Sequence, residues 1–348
     1  MKYLKKISVI GHFGNGKTLL NGQTVKTKIV TDELCKQLGN EEVIKIDTCG
    51  GKSTVFKAPF QTIKALKNSK NVIIFPAHNG LRVYAPLLSF FKRFFKNRKL
   101  HYVVIGGWLP EFLKNRNMLG RKLRRFDGIY VETNTMKKAL EDQGFDNVAV
   151  MPNCKDLKIL KQEELVYPLG EPYKLCTFSR VMKEKGIEDA VNAVKTVNEE
   201  AGRTVYTLDI YGQVDSRQTQ WFEDLKNTFP DYIKYKGLID YDKSVDVLKN
   251  YCVLLFPTHF YTEGIPGTIL DAYAAGIPVI STKWENFSDI VENTITGIGY
   301  EFLEQGQIVQ ILRNLQINWM EKMKIACLHK GREYLPENVI SIIKSKLN

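Results

Sequence analysis

A chain of 348 residues is longer than the roughly 250–300 that one hydrophobic core supports, so two cores are expected. Its 44% hydrophobic and 25% charged residues exclude a disordered or fibrous chain, and no window reaches the roughly 18 unbroken apolar residues of a membrane span. The formal charge of +12 either keeps the protein soluble or meets an anionic partner: nucleic acid, an anionic membrane surface or an anionic substrate.

In chain order, short β-branched runs alternate with longer amphipathic stretches, which predicts βα units and parallel sheets. Strands are expected at 7–11, 43–47, 71–76, 101–106, 128–132 and 147–151, with helices at about 23–38, 57–68, 81–97, 109–125 and 134–143. The segment 153–173, with Pro168, Gly170 and Pro172, breaks the rhythm and reads as a linker. A second series follows, with strands at 174–179, 205–211, 233–236, 252–256, 278–281 and 297–300. Its helices fall at about 186–201, 217–228, 242–250, 267–275 and 286–292, before a helical C-terminus. The expected domains are 1–160 and 173–330, with 331–348 a helix that crosses back to the first. The fold class is α/β: two doubly wound Rossmann-like domains facing each other across a cleft at their strand C-terminal ends.

"MKYLKKISVIGHFGNG" has basic residues but too short an apolar stretch for a secretory signal, so a cytoplasmic location is expected. The six cysteines are scattered, with no metal-ligand spacing, and read as reduced, mostly buried thiols.

"GHFGNGKT", Gly11 to Thr18, fits the phosphate-loop pattern G-x-x-x-x-G-K-[ST] after an apolar run. A working loop starts its helix at the Lys-Thr so that N–H groups converge on phosphate. Here Asn21-Gly22 interrupts, and Val25, Ile29, Leu34 and Leu38 suit a helix that begins near Gln23. Asp47, which ends the "VIKID" run, is a weak candidate for the acidic metal ligand. The phosphate-facing element is therefore placed at Gly22, with Gly16 as flexible backbone beside a ligand.

The second half carries the strongest cluster, "FPTHFYTEGIPGTILDAYAAGIPVIST" at 256–282. Glu263 and Asp271 stand eight apart, and the loop Gly264, Ile265, Pro266, Gly267 and Thr268 opens a helix. Its first N–H groups, from Gly267, Thr268 and Ile269, suit an anion, and the carboxylates suit sugar hydroxyls. Upstream, Arg180 and Lys185 leave a loop after a strand, placed to clamp a diphosphate; alone they are equally two surface cations. "DYD" at 240–242, between a strand and a helix, reads as helix-capping chemistry rather than a metal site.

Arg180 with Lys185, "YG" at 211–212, "YKGLI" at 235–239 and the E-x7-D of "EGIPGTILD" together resemble the second domain of GT-B glycosyltransferases of the large retaining family 4. The resemblance is close over roughly 173–300; the first half is similar in outline, through 21–43. It implies transfer of a sugar from a nucleotide-sugar to a glycan or lipid-linked acceptor in bacterial cell-surface polysaccharide or glycolipid synthesis, with no metal and no cofactor expected. It also implies catalytic roles for Arg180 and Lys185 on the donor diphosphate and for Glu263 on the donor sugar. Asp271 would take the ribose, one methylene shorter than the family's Glu, and residues 264–268 and Gly22 would lie near phosphates. The family's first-domain His is replaced by Gly106-Gly107-Trp108, which leaves His78 as the substitute, or as a core residue. A phosphate-loop ATPase, an epimerase or phosphorylase on the same fold, and a non-catalytic membrane-associated binding subunit remain alternatives.

Lys and Arg are dense at 87–99 and 113–125, and Phe90, Phe91, Phe94 and Phe95 share one helical face. That face packs into the core or anchors the protein at an anionic membrane, peripheral at its inner face. No recognition motif accompanies the charge, so nucleic acid is not an expected partner.

Overall fold

A computed structural model describes residues 4–14, 16, 22–50 and 53–347. They fall into two units, Met1–Asp156 with Tyr334–Asn348, and Leu157–Glu333.

Unit 1 runs β1 (Lys5–Gly11), α1 (Gly22–Leu38), β2 (Val43–Asp47), α2 (Ser53–Asn68), β3 (Ser69–Ile74), α3 (His78–Phe91), β4 (Lys99–Val103), α4 (Leu109–Lys114), α5 (Asn117–Leu123), β5 (Gly128–Val131), α6 (Asn134–Glu141) and β6 (Val148–Val150). The strands are mostly apolar, as "ISVI" and "NVII" show, because helices cover both faces of a parallel sheet, and the polar Ser8 and Asn71 within them are hydrogen-bonded. The order is β2-β1-β3-β4-β5-β6, all parallel. Thr133 caps α6 by accepting the Met136 N–H at 3.1 Å.

Unit 2 runs β7 (Tyr173–Phe178), α7 (Ile187–Ala201), β8 (Tyr206–Tyr211), α8 (Thr219–Lys226), β9 (Ile233–Gly237), α9 (Ser244–Leu248), β10 (Val253–Phe256), α10 (Gly267–Ala274), β11 (Val279–Thr282), β12 (Gly297–Tyr300), α11 (Gly306–Arg313) and α12 (Ile317–Arg332). Its parallel order is β12-β11-β10-β7-β8-β9. The last helix, α13 (Pro336–Lys344), packs Val339, Ile340 and Ile343 into the unit 1 core with Val30 and Leu34 of α1.

Each sheet has one place where the strand order reverses: between β1 and β3 in unit 1, and between β7 and β10 in unit 2. Loops leave the sheet in opposite directions there and open a crevice at the strand C-terminal ends, the usual ligand position in open α/β sheets.

Three expected elements differ. The four phenylalanines do not share a face: α3 ends at Phe91 and tightens into a turn over Lys92–Phe94. Phe91 and Phe95 pack on the core, while Phe90 and Phe94 point to solvent. The helix expected over 109–125 is two, broken at Arg116 (φ −134°), whose guanidinium donates to the Phe112 carbonyl at 2.6 Å. The segment 286–292 makes only a short turn, Phe287–Asp289.

Candidate functional site

At the unit 2 switch point the loop after β7 carries Arg180 and Lys185, and the loop after β10 carries Glu263. Two glycines let the loops meet. Gly186 sits at φ 67°, where a Cβ would lie 1.9 Å from the Pro257 carbonyl oxygen. Gly212, after β8, sits at φ 135° against the Ser179 carbonyl. Both positions accept glycine alone for steric reasons. Lys185 Nζ consequently forms an ion pair with Glu263, both side chains more than four-fifths buried. Lys185 also lies over the rings of Phe256 and Phe260, at 5.3 and 5.0 Å from their centroids. Thr258 donates to the Glu263 carboxylate at 3.3 Å, and Asn286 Nδ2 holds the Glu263 carbonyl at 2.7 Å. Among the described residues, these contacts fix Glu263 with its carboxylate toward the β7 loop.

α10 starts beside this pair. Pro266 is its N-cap, and Thr268 ties its first turn to the sheet by donating to the Phe178 carbonyl at the end of β7. The Ile269 N–H, expected to face an anion, donates instead to the Pro266 carbonyl at 3.0 Å. Gly267 and Thr268 supply the first-turn N–H groups that have no intrahelical acceptor. Gly264 and Ile265 are buried in the loop behind them. Arg180 is half exposed and 3.8 Å from Asp215. The Arg217 guanidinium, with help from Arg180, holds the Asp215 carboxyl down to about 2. Behind the loop, His259 Nε2 meets Asp189 at 2.6 Å, and burial raises the Asp189 carboxyl against the pull of that bond. Asp271 is 2% exposed, and its carboxylate accepts from Ser244 of α9 at 2.8 Å.

In unit 1 the switch point holds a cavity of about 440 Å³ lined by His12, Gln23, Thr48, His78, Asn79 and Tyr84 among others. His12 shares a hydrogen bond with Thr24 at 2.7 Å, and Gln23 donates to the Phe75 carbonyl at 3.2 Å. His78 stacks on Trp108 with 3.8 Å between ring centres and meets the edge of Phe112. Burial, with Arg82 and Arg116 nearby, lowers its basicity and keeps the imidazole neutral. Beneath it lies an ion pair between Lys26 and Glu132 at 2.6 Å, each 2% exposed, with Glu132 also accepting the Gly106 N–H at 3.0 Å. Gly22 opens α1 and is exposed, and Gly16 is exposed at φ 78°. Lys17, Thr18 and Asn21 lie outside the described residues. Asp47 Oδ1 accepts the Phe13 and Cys49 N–H groups at 2.9 and 2.7 Å and clasps the two loops. Among the described residues no group of three His, Cys, Asp or Glu is placed to hold a metal ion. Nor is any described helix long and apolar enough to cross a membrane.

The Lys185–Glu263 pair lies in the segment that a family model matches. Residues 172–316 match the glycosyl transferases group 1 family. AmsK of Erwinia amylovora, an amylovoran biosynthesis glycosyltransferase, is 23% identical over 133 residues, 37% of this chain and 32% of that protein. The chain thus spans about a third of that relative's length. An uncharacterized 41.2 kDa protein in the cps region of Klebsiella pneumoniae is 21% identical over 345 residues, 90% of both chains. Among solved structures, HepE of Anabaena in complex with UDP and glucose matches with a TM-score of 0.71 at 14% identity, over 99% of each chain. The fold is GT-B.

Residues 172–316 contain Arg180, Lys185 and Glu263, and the structure brings Lys185 and Glu263 into direct contact on the loops that the reversed strand order juxtaposes. Asp271, on the same domain, faces Ser244 inside it. "DYD" makes no cap: Asp240 precedes a short turn without a side-chain capping bond. Sequence reasoning missed the His12–Gln23 wall of the unit 1 cavity, although His12 directly follows the first strand, where switch-point ligands bind.

Proposed function

We propose that the protein is a retaining glycosyltransferase of family 4 type that moves a sugar from a nucleotide-sugar to a glycan or lipid-linked saccharide acceptor, without a metal, in bacterial cell-surface polysaccharide or glycolipid synthesis. The observation that carries this is the convergence of Lys185, Glu263 and the first turn of α10 at the switch point of a group 1 domain. A nucleoside diphosphate suits that place: Lys185 and Arg180 supply fixed cations, and the Gly267 and Thr268 N–H groups supply neutral donors at a helix N-terminus. These groups stabilise the charge that grows on the β-phosphate as the bond to the sugar breaks, the role a metal plays elsewhere. The electron pair of the breaking C1–O bond goes to that phosphate oxygen. The acceptor hydroxyl bonds to C1 from the same face and passes its proton to the leaving phosphate. Glu263, held by Thr258 and Asn286, binds donor-sugar hydroxyls once the diphosphate offers Lys185 a second anion. Asp271 accepts from Ser244 at Oδ1, and a carboxylate has acceptor capacity for a ribose hydroxyl besides.

The relatives support the substrate class by what they are: AmsK by its part in amylovoran biosynthesis, the Klebsiella protein by its cps region, and HepE by the UDP and glucose bound to it. The unit 1 cavity is the acceptor site in this reading, and a cytoplasmic protein seated at the inner membrane face brings it to lipid-linked acceptors. A panel of nucleotide-sugars with lipid-linked acceptors tests the proposal. Nucleotide release with at least one pair, and an anomeric centre retained in the product, is the expected result. Failure to bind or turn over any donor would sink it.

A further inference from the structure

The outward face of α2 is apolar where a solvated helix is polar. Phe56, Phe60, Ile63 and Lys67 recur at i, i+4, i+7 and i+11 and form one stripe along the helix, opposite Ala58, Thr62, Ala65 and Leu66 in the core. Phe56 is 82% and Phe60 77% exposed. The stripe is bordered by Lys57 and Lys64, and the helix contains no carboxylate. Beside it, α2 packs on α3 and α3 on α5, whose outward residues include Phe90, 46% exposed, and Met118, 68% exposed, with Phe94 of the turn after α3 67% exposed. Arg98 ties this edge together by donating to the Leu66 carbonyl at 2.9 Å. Scattered exposed hydrophobics are ordinary, but an aromatic stripe framed by lysines is the pattern of a helix lying in a lipid interface.

We propose that α2 docks unit 1 on an anionic bilayer, with Phe56 and Phe60 among the acyl chains and Lys57, Lys64 and Lys67 at the headgroups. Charge complementarity selects this occupant: a second copy of the chain would set these lysines against their own images, whereas anionic headgroups neutralise them. The position of the cavity adds to the argument. Val55 and Ala58, from the first turns of α2, line the unit 1 cavity, so its wall is the inserted helix. An amphipathic acceptor places its saccharide in the cavity while its lipid stays in the bilayer. That last step rests on the glycosyltransferase reading; the docking itself does not.

The test is co-sedimentation of the full chain with phosphatidylglycerol-containing vesicles and with pure phosphatidylcholine vesicles. Binding to the anionic vesicles alone is expected, weakened at least about tenfold by the double substitution Phe56→Ser with Phe60→Ser. Phe56→Trp should show added blue-shifted emission with anionic vesicles. Equal binding by wild type and the double variant, absence of binding to anionic vesicles, or a wild-type dimer that the double variant makes monomeric would each overturn the proposal. Nucleotide-sugar binding measured without vesicles separates the two readings. If it is absent while vesicle docking behaves as stated, the enzyme assignment fails and the docking surface stands.

Discussion

Gly186→Ala probes whether the two loops at the unit 2 switch point must touch for the site to work. The added Cβ would lie 1.9 Å from the Pro257 carbonyl oxygen, a backbone atom that no rotamer change can move. Restoring an ordinary contact parts the β7 and β10 loops by about 1.5 Å, and the left-handed φ of 67° costs a further roughly 1–2 kcal/mol in an alanine. In a unit of this size that strain lowers Tm by roughly 5 °C, so the protein still folds at room temperature. The separation of Lys185 from Glu263 is the larger effect, since a displacement of about 1 Å in a catalytic group costs on the order of 100-fold. Steady-state donor turnover, with circular dichroism melting on the same sample, reads both. A variant that melts a few degrees lower yet turns over donor at the wild-type rate would refute the claim that the Lys185–Glu263 geometry matters.

Other outcomes follow from the same structure. Glu263→Gln should lower transfer by roughly 100-fold or more with the fold retained and Tm lowered by a few degrees, because the amide keeps the shape but loses the charge that Lys185 meets. Lys26→Met should destabilise unit 1 by roughly 3–5 kcal/mol in urea melts by stranding Glu132, and pairing it with Glu132→Leu should restore much of the loss. His101 is held neutral, burial pushing it down from 6.5 to about 4. The unfolded chain takes up that proton first, so stability is full above about pH 6.5 and falls by roughly 2–3 kcal/mol as pH drops toward 4. His101→Gln should flatten that slope in pH-dependent urea melts. Lys17→Ala should leave nucleotide affinity within about twofold of wild type by calorimetry, whereas a phosphate-loop protein would lose it.

Both sheets were legible because a strand covered on two faces is mostly apolar, as "ISVI" and "VLLF" are, and such short runs are bounded by turn signals. Strand order was not, since it depends on which loops cross, and with it went the reason why Lys185 and Glu263 meet. The E-x7-D spacing located Asp271 on α10 but not its partner, because Ser244 arrives from α9 by tertiary packing. The phenylalanine quartet misled for a local reason: 90/94 and 91/95 are two neighbouring i, i+4 stripes, and the sheet has room for one. In α2, Phe56 and Phe60 sit at a helical spacing that a core face shares, and only their exposure sets them apart.

The claim on which the rest depends is that the crevice between β7 and β10 binds a nucleoside diphosphate through Arg180 and Lys185. Isothermal titration of the protein with a set of nucleoside diphosphates measures it directly. Affinity for at least one of them, weakened about tenfold or more by Lys185→Ala and again by Arg180→Ala, is the predicted result. Absence of binding to all of them, or binding indifferent to both substitutions, would contradict the account.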